Sequence, residues 1–113
     1  MFSSVCEIGN ITKVSDKYEV RDDHGLDNLV LSSTLLYPNE ETNGHKHMTQ
    51  DEIFMFYGDG EIYLRHPDED QGEQEQVFSV TNGDIVSVPK GVFHRVYNRS
   101  KKENLFYVRV MSK

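Results

Sequence analysis

A chain of 113 residues with a net charge of −7 is long enough for one domain, which would bury roughly 65% of the surface exposed by its unfolded form. Its 12 basic residues are scattered among 19 acidic ones, which argues against a nucleic-acid partner, because phosphate neutralisation needs clustered Lys and Arg. Cys6 is the sole cysteine, so no intrachain disulfide can form, and no apolar run approaches the roughly 18 residues of a membrane span.

The first residues, through Glu7, lack the basic start and apolar stretch of a secretory signal, so a cytoplasmic setting is expected and the sequons at Asn10 and Asn98 carry little weight. Residues 11–14 and 18–21 read as short, weak strands. Residues 28–37, closed by Pro38 and Asn39, read as a stronger one, with Leu29, Leu31, Ser33 and Leu35 alternating against Val30, Ser32, Thr34 and Leu36. Strands at 52–57 and 61–66 flank Gly58, Asp59 and Gly60, which read as a tight hairpin turn because glycine accepts positive φ. Residues 68–75 are the most acidic stretch. Their glycine sits one place early for an EF-hand and no helix signals flank them, so a solvated hairpin loop is expected. A strand at 77–80, a turn at Thr81-Asn82-Gly83, a strand at 84–88, a Pro89-Lys90-Gly91 corner and strands at 92–98 and 104–111 complete the chain. About ten strands and no convincing helix predict an all-β sandwich or barrel.

Two segments carry chemistry. His45 and His47, two apart on an extended chain, project the same way and can share one ion. Glu52 lies an odd interval beyond His47, but a bend through residues 48–51 would restore its direction, and Phe54 and Phe56 would then share its face. His94 follows the Pro-Gly corner, with Val96 and Asn98 on its side. Three imidazoles and one carboxylate suit a divalent first-row ion (Fe, Mn, Ni or Zn) and leave two octahedral positions open for substrate, water or dioxygen.

Gly44, His45, His47, Glu52 and Gly60 resemble the first motif of the cupin superfamily, with Gly58 one place early and Gly60 one place late. Gly83, Pro89, Gly91, His94 and Asn98 match the second. The likeness runs from about Leu29 to Val110 and implies a single cupin domain over 1–113, a double-stranded β-helix or jelly-roll barrel with the metal in its mouth. Within that superfamily, residues 26–38 and Thr42-Asn43-Gly44-His45-Lys46-His47 are similar to segments of the archaeal-type glucose-6-phosphate isomerases. That resemblance implies metal ligands His45, His47, Glu52 and His94, with Thr34, Thr42 and Gly44 lining a sugar-phosphate pocket. Glu52 is then also the candidate catalytic group, with the role of ligand favoured over that of base.

Other residues receive plainer readings. Lys46 should face solvent, and Arg109 is read as a residue on the wet face of the last strand, able to bind an anionic substrate only if turned inward. His24 and His66 are read as exposed loop residues and not as ligands. Two alternatives to the isomerase use the same shell: an Fe(II) dioxygenase of a chelating substrate, and a metal cupin that binds a small ligand without turnover. Likeness to small cupins also implies a homodimer, with the extended segment 2–14 adding to a neighbour's sheet edge.

Overall fold

The structure is a computed structural model that describes residues 7–67 and 74–113. Among these residues there are nine strands: β1 (Asn10–Val14), β2 (Tyr18–Asp23), β3 (Leu29–Leu36), β4 (Glu52–Tyr57), β5 (Gly60–His66), β6 (Gln74–Val80), β7 (Ile85–Val88), β8 (Phe93–Tyr97) and β9 (Leu105–Ser112). They form a six-stranded sheet in the order β1-β2-β3-β9-β4-β7 and a three-stranded sheet in the order β6-β5-β8. Every strand foreseen in the sequence is present, with ends moved by a few residues. Among the described residues no helix is long and apolar enough to cross a membrane. Cys6 and most of the acidic stretch lie outside the described residues, although β5 and β6 on either side of that stretch do pair as an antiparallel hairpin. Asn10–Val14 pairs with β2 of its own chain, and the part of the segment before Glu7 is not described.

The expected hairpin at Gly58-Asp59-Gly60 is not formed. β4 pairs with β7 and β9, whereas β5 pairs with β6 and β8, so the chain steps from one sheet to the other at Gly58, whose φ is +138°. The step places Phe56 and Ile62, both fully buried, in one core from opposite sheets. Gly60 is confined by packing, since a Cβ there would meet Leu105 Cδ2 at 2.5 Å.

Along the inner faces, residue type changes from one end of the barrel to the other. On β9, Leu105 and Tyr107 are buried in the core while Arg109 and Met111 line cavities. The same order holds on β3, from Leu36 to Thr34, Ser32 and Val30, and on β4, from Phe56 through Phe54 to Glu52. The register pairs Leu36 with Leu105, Ser32 with Arg109, and Glu52 with Met111, so all the polar ends lie together. An apolar floor beneath a polar mouth follows from period-2 alternation on antiparallel strands.

The floor is closed by Asn98, which is 1% exposed. Its Nδ2 donates to the carbonyls of Leu36 (3.0 Å), Tyr37 (3.1 Å) and Glu103 (2.8 Å), and its Oδ1 accepts from the Ser100 N–H at 3.1 Å. This amide ties the end of β3 to the connection between β8 and β9, at a site too buried to carry a glycan. Replacement Asn98→Ala strands buried carbonyls, each costing about 1–3 kcal/mol. A loss of about 2–4 kcal/mol in urea-unfolding stability is expected, and a loss below about 0.5 kcal/mol would contradict this role.

Candidate metal centre

Residues 40–47 lie antiparallel to β8. Thr42 N–H donates to the Val96 carbonyl (2.9 Å), Asn98 N–H to that of Glu40 (2.9 Å), and His45 and His94 exchange backbone hydrogen bonds of 3.0 and 2.9 Å. Past the corner, Gly91 N–H donates to the His47 carbonyl at 2.7 Å, with Gly91 at φ +85°. This pairing carries His45 and His47 against His94. A bend at Met48 and Thr49 then turns the chain so that Glu52, the first residue of β4, also faces inward. One ligand atom from each of the four residues lies within 4.8 Å of every other.

His94 Nδ1 lies 3.1 Å from the Val92 carbonyl, an acceptor that calls for the N–H at this nitrogen and leaves a lone pair on Nε2. That Nε2 is 3.1 Å from His45 Nε2 and 3.0 Å from Glu52 Oε1, while His47 Nε2 is 3.7 Å from the same oxygen. His47 Nε2 and Glu52 Oε1 are buried and make no aligned hydrogen bond. Lone pairs gathered this closely repel unless a proton or a cation lies between them, and an orphaned imidazole nitrogen beside an orphaned carboxylate oxygen fits a divalent ion. The four residues could hold one. The other carboxylate oxygen, Oε2, accepts from Arg109 Nη1 at 3.2 Å, and Arg109 Nη2 donates to Ser32 Oγ at 2.8 Å.

Arg109 therefore does not sit on the wet face. It shares the inward parity of Leu105 and Tyr107, and that alternation was the signal that could have placed it. His24, exposed as expected, also borders the site: with Ser32, His45, His47, Glu52 and Arg109 it lines a cavity of about 290 Å³. Nothing local in its sequence marks this, because the pairing of β2 with β3 sets its place. Thr34, Thr42 and Gly44 line an adjoining cavity of about 570 Å³ together with Tyr18, His45 and Arg109. Thr42 Oγ1 accepts from the Val96 N–H at 3.0 Å, and the Thr34 hydroxyl contacts that of Tyr107. Gly44, at φ +83°, also serves packing, because a Cβ there would lie 2.5 Å from the Phe93 ring. Lys46 is exposed, and His66 ends β5 exposed.

Burial of its inner edge, followed by the charges of His94, His47 and Arg109, lowers the His45 pKa from 6.5 to about 4. His47 is lowered chiefly by burial. For Glu52, burial acts to raise the pKa, but contact with His94 and the charge of Arg109 outweigh it and hold the carboxyl below its ordinary 4.5. The unfolded chain thus binds more protons than the folded one in mildly acid solution. Stability of the metal-free protein is expected to be complete above pH 6.5 and to fall as pH drops towards about 4, with the Glu52 share lost below 4.5. Urea titrations in chelator between pH 8 and 4 check this, and a flat profile would contradict it.

The sequence profile described as auxin binding protein matches residues 17–113. No curated protein matches the chain. Among solved structures, the capsular polysaccharide assembling protein CapF from Staphylococcus aureus superposes with a TM-score of 0.75 at 20% identity, over 89% of this chain and 27% of CapF. Oxalate decarboxylase from Lactobacillus farciminis gives 0.75 at 13% identity, over 93% of this chain and 30% of the enzyme. A cupin domain from Bordetella pertussis gives 0.66 at 20% identity, over 90% of this chain and 99% of that domain. The chain thus spans about a quarter to a third of the first two proteins, and at these identities the likeness speaks for the fold, a cupin jelly-roll barrel. With the profile covering all but the first 16 residues, the chain belongs to the auxin binding protein family.

Proposed function

We propose that the chain is a metal-dependent cupin that takes a small, oxygen-rich ligand into the barrel mouth and isomerises it, the substrate being a phosphorylated sugar or a related polyhydroxy compound. The observation that carries this reading is the continuity of the four-residue cluster with a polar cavity, since His45 and Arg109 line both cavities. His45, His47, Glu52 and His94 would hold a divalent ion, which would supply Lewis acidity to adjacent oxygens of the substrate.

The chain's own residues bind and orient. Thr42, whose oxygen already accepts from Val96, keeps its hydroxyl proton to donate to a ligand oxygen, and Thr34 and the Gly44 backbone add polar contacts beside it. Phe54, its ring 5.4 Å from that of His94, walls the site from below and excludes water on that side. Glu52, held by Arg109, serves as a ligand rather than as a base. Asp22 and His24 border the smaller cavity outside the cluster and stand where a proton could be taken and returned. The similarity of residues 42–47 to the archaeal-type isomerases supports the same substrate class. A second reading, binding without turnover, is favoured by the family's description, whose stated property is binding.

Proton NMR of fructose 6-phosphate with protein loaded in turn with Mn, Fe, Ni or Zn tests both. Interconversion with glucose 6-phosphate is expected and should be abolished by His94→Ala. Metal-dependent broadening of the ligand signals without product would favour the binding reading, and neither effect across the metals would contradict both.

A further inference from the structure

The ion pair beneath the cluster has a geometry that the ligand set alone does not explain. Arg109 lies opposite Ser32 on β3 and Phe54 on β4, one inward position away from the Glu52–Met111 pair, so its guanidinium meets Glu52 diagonally across the strands. Its two terminal nitrogens are spent on different partners, Nη1 on Glu52 Oε2 and Nη2 on Ser32 Oγ. Oε2 is thereby held by Arg109 while Oε1 lies against the imidazoles of His94 and His47. The Glu52 side chain is 1% exposed and that of Arg109 16%, so solvent competes weakly with this contact.

We infer that Arg109 is a positioning residue for the metal centre: anchored by Ser32, it holds Glu52 so that one carboxylate oxygen is offered and the other is withheld. This rests on the metal reading above. A carboxylate free to turn could offer both oxygens and fill a position that a ligand needs, whereas one fixed by a guanidinium of set shape cannot. Partners that orient metal ligands in this way typically govern affinity by about 10–100-fold. Lysine, a point charge on a flexible stem, cannot span Glu52 and Ser32 together.

The test is equilibrium titration with Co(II), read by visible absorption, on wild type, Arg109→Gln, Arg109→Lys, Glu52→Gln and the double variant Glu52→Gln/Arg109→Gln. Arg109→Gln is expected to weaken Co(II) binding about 10–100-fold and to change the d–d bands of the bound ion. Arg109→Lys should do the same to a smaller degree, and it carries the test if the glutamine variant does not fold. In the Glu52→Gln background the same replacement should change affinity less than about twofold, because the residue acts through that carboxylate. Unchanged affinity and spectrum in both single Arg109 variants, or an equal loss in both backgrounds, would overturn the inference. Failure of the wild type to take up Co(II) would overturn the metal reading, and this inference with it.

Discussion

Antiparallel hydrogen bonding between residues 40–47 and β8 is the constraint on which the rest of the site depends. It joins the two histidine-bearing segments, nearly fifty residues apart in sequence, at the backbone rather than only through their side chains. The link from β3 to β4 is long, and ordering it costs roughly 1–2 kcal/mol per residue in backbone entropy. The rungs from Glu40 to Asn98, Thr42 to Val96, His45 to His94 and His47 to Gly91 offset part of that cost. They also fix the histidine backbones through hydrogen bonds in which no ion takes part, as preorganisation of a metal site would require.

The barrel interior supplies the second condition. A cluster of inward-facing imidazoles and a carboxylate would be a poor core on its own, since a buried, unpaired carboxylate costs several kcal/mol. Here the cost is met by a division along each strand. Phe54, Phe56, Leu36, Leu105 and Tyr107 are buried at the floor, each contributing about 1.5–3 kcal/mol, while the polar residues stand at the other end of the same strands. Arg109, itself bonded to Ser32, supplies the charge opposite Glu52. The floor stabilises the fold, and the polar side chains are gathered at the mouth.

Much of this was legible in the sequence because strand parity is a local rule. It put His45 with His47, Glu52 with Phe54 and Phe56, and His94 with Val96 and Asn98, and the structure buries the last two sets and brings the exposed His45 and half-buried His47 against them. At the hairpin and at the cavity edge beside His24 the sequence falls short for one reason, which is that local signals do not say which sheet a strand joins. Gly58, Asp59 and Gly60 carry every mark of a hairpin, yet β4 and β5 find their partners in different sheets. Arg109, read as a wet-face residue, lies inside, and its spacing from Leu105 and Tyr107 was the local signal for that place. His24 follows β2, and only the pairing of β2 with β3 brings it to the cavity. Gly44 shows the reverse: a residue read for a pocket is also a glycine because the Phe93 ring leaves no room for a side chain.

The central claim is that one ion is held at once by groups from the 40–47 segment, β4 and β8. X-ray absorption at the metal edge of reconstituted protein tests it most directly, because imidazole rings give a multiple-scattering pattern whose amplitude reports their number. The account predicts three imidazoles and an oxygen donor about the absorber, falling to two imidazoles when His94 is replaced by alanine. An absorber surrounded by oxygen alone, or a histidine count unchanged by that replacement, would contradict it.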